Sequence, residues 1–102
     1  MTVVPVALVA GGSRGLGLEI ARQLHRRGHH VALCARDEAA LQRAASEFKE
    51  RVSIHVMDVT DREDVQRVVN EISNGSGPIE VAIHVAGIIQ VGPAADVAFE
   101  HF

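Results

Sequence analysis

Four short apolar runs, separated by stretches of helical periodicity, leave this chain few folds to choose from. The runs are Val3 to Val9, His30 to Cys34, Val52 to Met57 and Glu80 to Val85. They are apolar on both faces, as strands are when helices cover a parallel sheet on two sides. Pro5 breaks the first run only near its start, where a strand tolerates it. Three helical stripes lie between the runs. In the first, Leu16, Ile20 and Leu24 recur at every fourth residue, with Gly17 and Ala21 beside them and Arg22, Gln23, Arg26 and Arg27 opposite. Gly28 stops that helix. Asp37 is placed to cap the second, which turns Leu41, Ala44, Ala45 and Phe48 inward. Thr60-Asp61-Arg62-Glu63 has the spacing of a capping box and opens the third, with Val65, Val68, Val69 and Ile72 inward. Asn74 to Pro78 ends it.

The order βαβαβαβ with right-handed crossovers predicts a doubly wound α/β fold whose parallel sheet runs 3-2-1-4. At 102 residues the chain is one small domain, too short for a barrel of eight βα units or for separate cofactor and substrate domains. Its net charge is −3, and nine Arg and the single Lys49 are dispersed. No electrostatic footprint for nucleic acid or an anionic membrane results. No apolar run approaches the roughly 18 residues of a membrane span. Met1 to Ala10 lacks the basic head of a secretory signal. The lone Cys34 has no partner for an internal disulfide, which suits a reducing compartment. A soluble cytoplasmic domain is expected, without nucleic-acid or membrane partners.

Between the first run and the first helix lies Ala10-Gly11-Gly12-Ser13-Arg14-Gly15-Leu16-Gly17. The first N–H groups of a helix lack partners and its dipole attracts anions, while glycines let a pyrophosphate come close to the backbone. A P-loop would need Lys-Ser or Lys-Thr after the last glycine, where Leu18-Glu19 stand. G-x-G-x-x-G is not met either. The spacing of Gly11, Gly15 and Gly17 is G-x-x-x-G-x-G, and it resembles the short-chain dehydrogenase/reductase family. Extended, epimerase-like members prefer glycine where Arg14 stands, so the shorter subgroup fits better.

Three further places extend the resemblance. Where the family's discriminating acid would end the second strand, this chain has Ala35. Arg36 beside it, with Arg14 in the turn, resembles the pattern that prefers NADP(H). Two guanidiniums give a 2′-phosphate charge-assisted, bidentate bonds. Asp37 also suits the generic ribose spacing for NAD, but is assigned as a helix cap. Asp58-Val59 after strand three are similar to the family's adenine contacts, a carboxylate accepting from the amino group and a backbone N–H meeting a ring nitrogen. Strand four ends Ile83-His84-Val85-Ala86-Gly87, where the family usually reads N-N-A-G. Ala86 and Gly87 are kept; His84 and Val85 replace both asparagines, and His84 is read as structural.

The resemblance implies a Rossmann-type fold with cofactor contacts at Gly11, Gly12, Ser13, Arg14, Gly15, Leu16, Gly17, Arg36, Asp58, Val59, Ala86 and Gly87. It implies NADP(H) in preference to NAD(H), and hydride transfer between the nicotinamide and a small carbonyl or alcohol substrate. The family's Tyr and Lys (Y-x-x-x-K) and its Ser do not map here: the chain has no Tyr, and its only Lys is Lys49 on the second helix. No catalytic residue is assigned. Six histidines form no H-E-x-x-H, and no metal site is expected. The 102 residues are expected to be the amino-terminal, cofactor-binding portion of a longer homo-oligomeric reductase, inactive alone. Its apolar fourth strand and Ile88, Ile89 and Val91 would then favour association. Two other readings are a dinucleotide-binding or sensing module without chemistry, and a methyltransferase-like domain, which would want an acid where Ala35-Arg36 stand.

Overall fold

A computed structural model describes residues 4–85. Its elements are β1 (Val6–Ala10), α1 (Gly15–Arg26), β2 (His30–Ala35), α2 (Glu38–Ala45), β3 (Val52–Val56), α3 (Arg62–Gly75) and β4 (Ile79–His84). The strands form one sheet ordered β3-β2-β1-β4, and every pairing is parallel, as the alternation predicts. β1 is central and buried along its whole length. Val6 to Ala10 pair with His30 to Cys34 on one side, and Ala7 to Ala10 with Val81 to His84 on the other.

Because successive strand residues point to opposite faces, the sheet divides its apolar side chains between two cores. On one face Val6, Leu8, Ala10, Ala32 and Cys34 meet Val68 and Ile72 of α3. On the other, Val9, Val31 and Leu33 meet Leu18 and Ala21 of α1 and Leu41 and Ala44 of α2. Each fully buried Val, Leu or Ile contributes about 1.5–3 kcal/mol. Helices on both faces explain why β1 and most of β2 read as unbroken apolar runs, while the edge strand β3 carries Ser53 and His55 on its α3 face.

Several local expectations are corrected. The buried face of α1 is Gly17, Leu18 and Ala21, and Leu16 is 62% exposed. Gly17 sits against the Gly11 carbonyl, and with 3.6 residues per turn Leu16 lies roughly 150° from the middle of the face formed by Gly17, Leu18 and Ala21. The cap of α3 is Asp61, not Thr60: its carboxylate accepts from the N–H groups of Glu63 and Asp64 at 3.1 and 3.3 Å. Thr60 is instead drawn to Asp58. α2 ends at Ala45, so Phe48 packs partly on the core from the following turn, and Lys49 lies beyond the helix. Asp37 does cap α2, accepting from Ala40 N–H at 3.2 Å. Ile88, Ile89 and Val91 lie outside the described residues. Among those described, no helix is long and apolar enough to cross a membrane.

Candidate functional site

The parallel sheet brings the C-terminal ends of all four strands to one edge, the edge where open α/β sheets bind ligands. The glycine turn occupies its centre. Gly11 and Gly12 both direct their N–H groups at the Cys34 carbonyl of β2, at 2.7 and 3.4 Å, which folds the turn back over the strand end. Gly11 (φ +80°) and Gly15 (φ +58°) take left-handed conformations that cost a residue with a Cβ. Gly17 is needed for a different reason. A Cβ there would lie 2.0 Å from the Gly11 carbonyl oxygen and 2.6 Å from Cγ2 of Val85. The helix therefore starts in direct contact with the turn.

Val85 is the residue that sequence reasoning passed over. Its N–H donates to the Ala10 carbonyl at 3.2 Å, and its side chain lies over Gly11 and Gly17. The signal was present, since a valine stands where the family pattern has an asparagine. A branched apolar group here holds the turn by packing rather than by a side-chain hydrogen bond. His84, just before it, is half-buried and pairs with Ala10.

The three helices differ at their N-termini. Asp37 caps α2 and Asp61 caps α3, each with a carboxylate on backbone N–H groups. Arg14 precedes α1 in extended conformation, makes no capping bond, and the first turn holds no acid. The positive end of the α1 dipole and its first N–H groups thus meet no carboxylate of the cap or first turn. Ser13 is half-buried and Arg14, Gly15 and Leu16 are exposed around that end.

The flanking charges come from the ends of β2 and β3. Arg14 approaches Asp37 at 4.0 Å with 76% of its side chain exposed, a contact too solvated to hold the arginine firmly. Arg36 is exposed at the end of β2. Asp58 accepts on Oδ1 from the Thr60 hydroxyl at 2.6 Å and the Thr60 N–H at 3.0 Å. Those bonds, with a smaller contribution from the positive charge of Arg36, hold its carboxyl below the usual aspartate range. Its own N–H donates to Asp64 Oδ2 at 2.7 Å, and Arg67 clasps Asp64 in turn. That brace fixes the loop after β3. The Val59 side chain packs against the core on the α3 face. The structure thus brings Gly11 through Gly17, Arg36, Asp58 and Val59 to one edge, while Ala86 and Gly87 lie outside the described residues.

Cys34 takes no part beyond its carbonyl. Burial, and secondarily the charge of Glu71, pushes its thiol up to about 12.

Comparison with known proteins agrees with this geometry. A family model described as short chain dehydrogenase matches residues 5–102. Gluconate 5-dehydrogenase of Gluconobacter oxydans is 41% identical over 90 residues, covering 85% of this chain and 35% of that protein. A putative ketoacyl reductase of Streptomyces coelicolor is 35% identical over 98 residues, or 93% of this chain and 38% of that protein. Among solved structures, a variant of the actinorhodin polyketide ketoreductase determined with NADPH superposes with a TM-score of 0.76 at 34% identity, covering 95% of this chain and 38% of that one. The chain therefore spans a little over a third of the length of the proteins it matches.

Proposed function

Because the chain belongs to the short-chain dehydrogenase family, we propose that it is the amino-terminal, dinucleotide-binding portion of an oxidoreductase that prefers NADP(H) to NAD(H). The observation that carries this reading is the contact of Gly17 with Gly11 beneath an N-terminus of α1 that no side chain among the described residues caps. A turn with no Cβ at either point, opening on the first N–H groups of a helix and its positive dipole end, suits a pyrophosphate. Gly11, Gly12, Ser13, Gly15, Leu16 and Gly17 would line that contact.

Arg14 and Arg36 support the choice of cofactor. Both guanidiniums are exposed, neither is locked in a buried ion pair among the described residues, and no acid stands at Ala35 to favour a free 2′-hydroxyl. Asp58 keeps its charge well below neutral pH, as an acceptor for the adenine amino group must. Val59, Ala86 and Gly87 complete the set on the strength of the family pattern. When bound, the nicotinamide supplies or accepts a hydride at a carbonyl or alcohol carbon of a small substrate. This chain has no Tyr, and Lys49 lies past α2, so its share of the work is to bind and orient the dinucleotide. It would do so in the cytoplasm, within a longer and homo-oligomeric catalytic unit.

The test is substitution of the arginines. Arg36→Ala should weaken NADPH roughly tenfold to a hundredfold, the cost of losing a charge-assisted bond, while NADH binding stays unchanged. Arg14→Ala should act in the same direction. Equal losses for both nucleotides would remove the arginines from phosphate recognition and with them the stated preference.

A further inference from the structure

Among the described residues the edge strand β3 pairs only with β2, and on the α3 face of the sheet it is not apolar. Ser53 and His55 stand opposite Ala32 and Cys34, both members of the α3-side core. His30 lies on the same face of β2, two residues before Ala32. The three side chains meet. His30 Nε2 lies 3.0 Å from Ser53 Oγ, and His55 Nε2 lies 2.8 Å from the same oxygen. Ser76, the C-cap of α3, places its hydroxyl 3.2 Å from His30 Nε2. On its other side His55 Nδ1 faces Glu71 of α3 at 3.9 Å.

We propose that His30, Ser53 and His55 form an acid-sensitive clasp on the sheet edge: it accommodates one added proton, and a second loosens β3 from β2 and from the end of α3. The argument is a count of hydrogens. A serine hydroxyl has one proton to give and two lone pairs, and a neutral imidazole gives at one nitrogen and accepts at the other. With both rings neutral, one Nε2–H donates to Ser53 Oγ and the Ser53 O–H donates to the other ring. With one ring charged, its Nε2–H donates to Ser53 and the hydroxyl still finds the bare Nε2 of its neighbour. With both charged, each Nε2 is a donor, the Ser53 proton has no ring acceptor, and two cations flank one hydroxyl.

The surrounding charges set the order. His55 has Glu71 beside it, which favours its charged form, against the opposing charge of Arg67. Among the described residues His30 has no carboxylate partner, and it faces Arg51, His25 and His55. His55 therefore takes the first proton and His30 the second. Burial is the largest influence on both rings and lowers both below the ordinary histidine value. A depressed histidine binds its proton more readily unfolded than folded. The clasp's stabilisation is therefore complete above the ordinary value near 6.5 and is lost as pH falls below it. β3 leads directly into Asp58, so loosening occurs beside the candidate site but does not depend on what that site binds.

Imidazole NMR of the protein from about pH 8 to about pH 5, with amide exchange read in parallel, tests this. Two coupled steps are expected, both below the ordinary value and with His55 first. The amides of Val52 to Val56 should lose protection across the second step, while those of Val6 to Ala10 keep theirs. In His30→Gln, which retains a hydrogen-bonding amide but no charge, β3 should stay protected in acid and unfolding should take up about one proton fewer. Independent titration of the two rings at the ordinary value would overturn the proposal by itself, even if the variant fails to fold. So would an unchanged acid profile of β3 in His30→Gln.

Discussion

Gly15 and Gly17 sit two residues apart and are glycine for different reasons, which makes them a clean pair of probes. At Gly15 the space is open and only the backbone conformation resists a side chain, so Gly15→Ala should cost about 1 kcal/mol. At Gly17 the new methyl would meet the Gly11 carbonyl, a backbone atom that cannot swing aside. Gly17→Ala should cost about 1–3 kcal/mol or more, and should also displace Val85. Urea unfolding of both variants checks the ranking, and the reverse order would mean that the turn is held by conformation rather than by contact. Cys34 gives a second prediction at this scale. With its thiol pushed up to about 12 by burial, almost no thiolate exists near neutral pH. A disulfide reagent should label it slowly in the native protein and fast once denaturant is added; rapid native labelling would contradict the burial of β2.

Among the elements, α3 shows how a correct motif can be read one residue out of register. Both Thr60 and Asp61 are capping residues followed three positions later by an acid, so the string itself supports either frame. Asp58 decides between them. Its Oδ1 takes the hydroxyl and the N–H of Thr60, which leaves Asp61 to cap the helix. Asp61→Ala should then cost about 0.5–2 kcal/mol, whereas Thr60→Ala should leave the helix cap intact. Thermal unfolding of the two variants separates these outcomes, and a larger loss at Thr60 would restore the original frame. The stripe of α1 holds for Leu24, which packs on the core, and fails at Leu16 for a related reason. Leu16, Ile20 and Leu24 fit a helical period, but which face turns inward is set by the contact of Gly17 with Gly11, and a contact across the fold leaves no trace in periodicity. Strand order, in contrast, was legible, because apolar runs alternating with amphipathic helices admit few sheets. The packing role of Val85 was visible only as a departure from a pattern.

Across the whole molecule, the residues proposed to hold the dinucleotide, scattered between positions 11 and 59, collect at one edge because every strand points the same way. The glycine turn sits over the central strand, and the arginine and aspartate come from the two strands successively farther out. That spread matches an extended ligand with a pyrophosphate in the middle and charged or polar groups toward one end. It is also why the two arginines matter more to the reading than the net charge of −3, which by itself would suggest no affinity for a phosphorylated ligand. The most direct measurement is a titration of the protein with NADPH and with NADH, followed by fluorescence of the reduced nicotinamide. NADPH should bind the tighter of the two by roughly tenfold or more, the worth of charge-assisted bonds to the 2′-phosphate. Equal affinity for both, or tighter binding of NADH, would contradict the account.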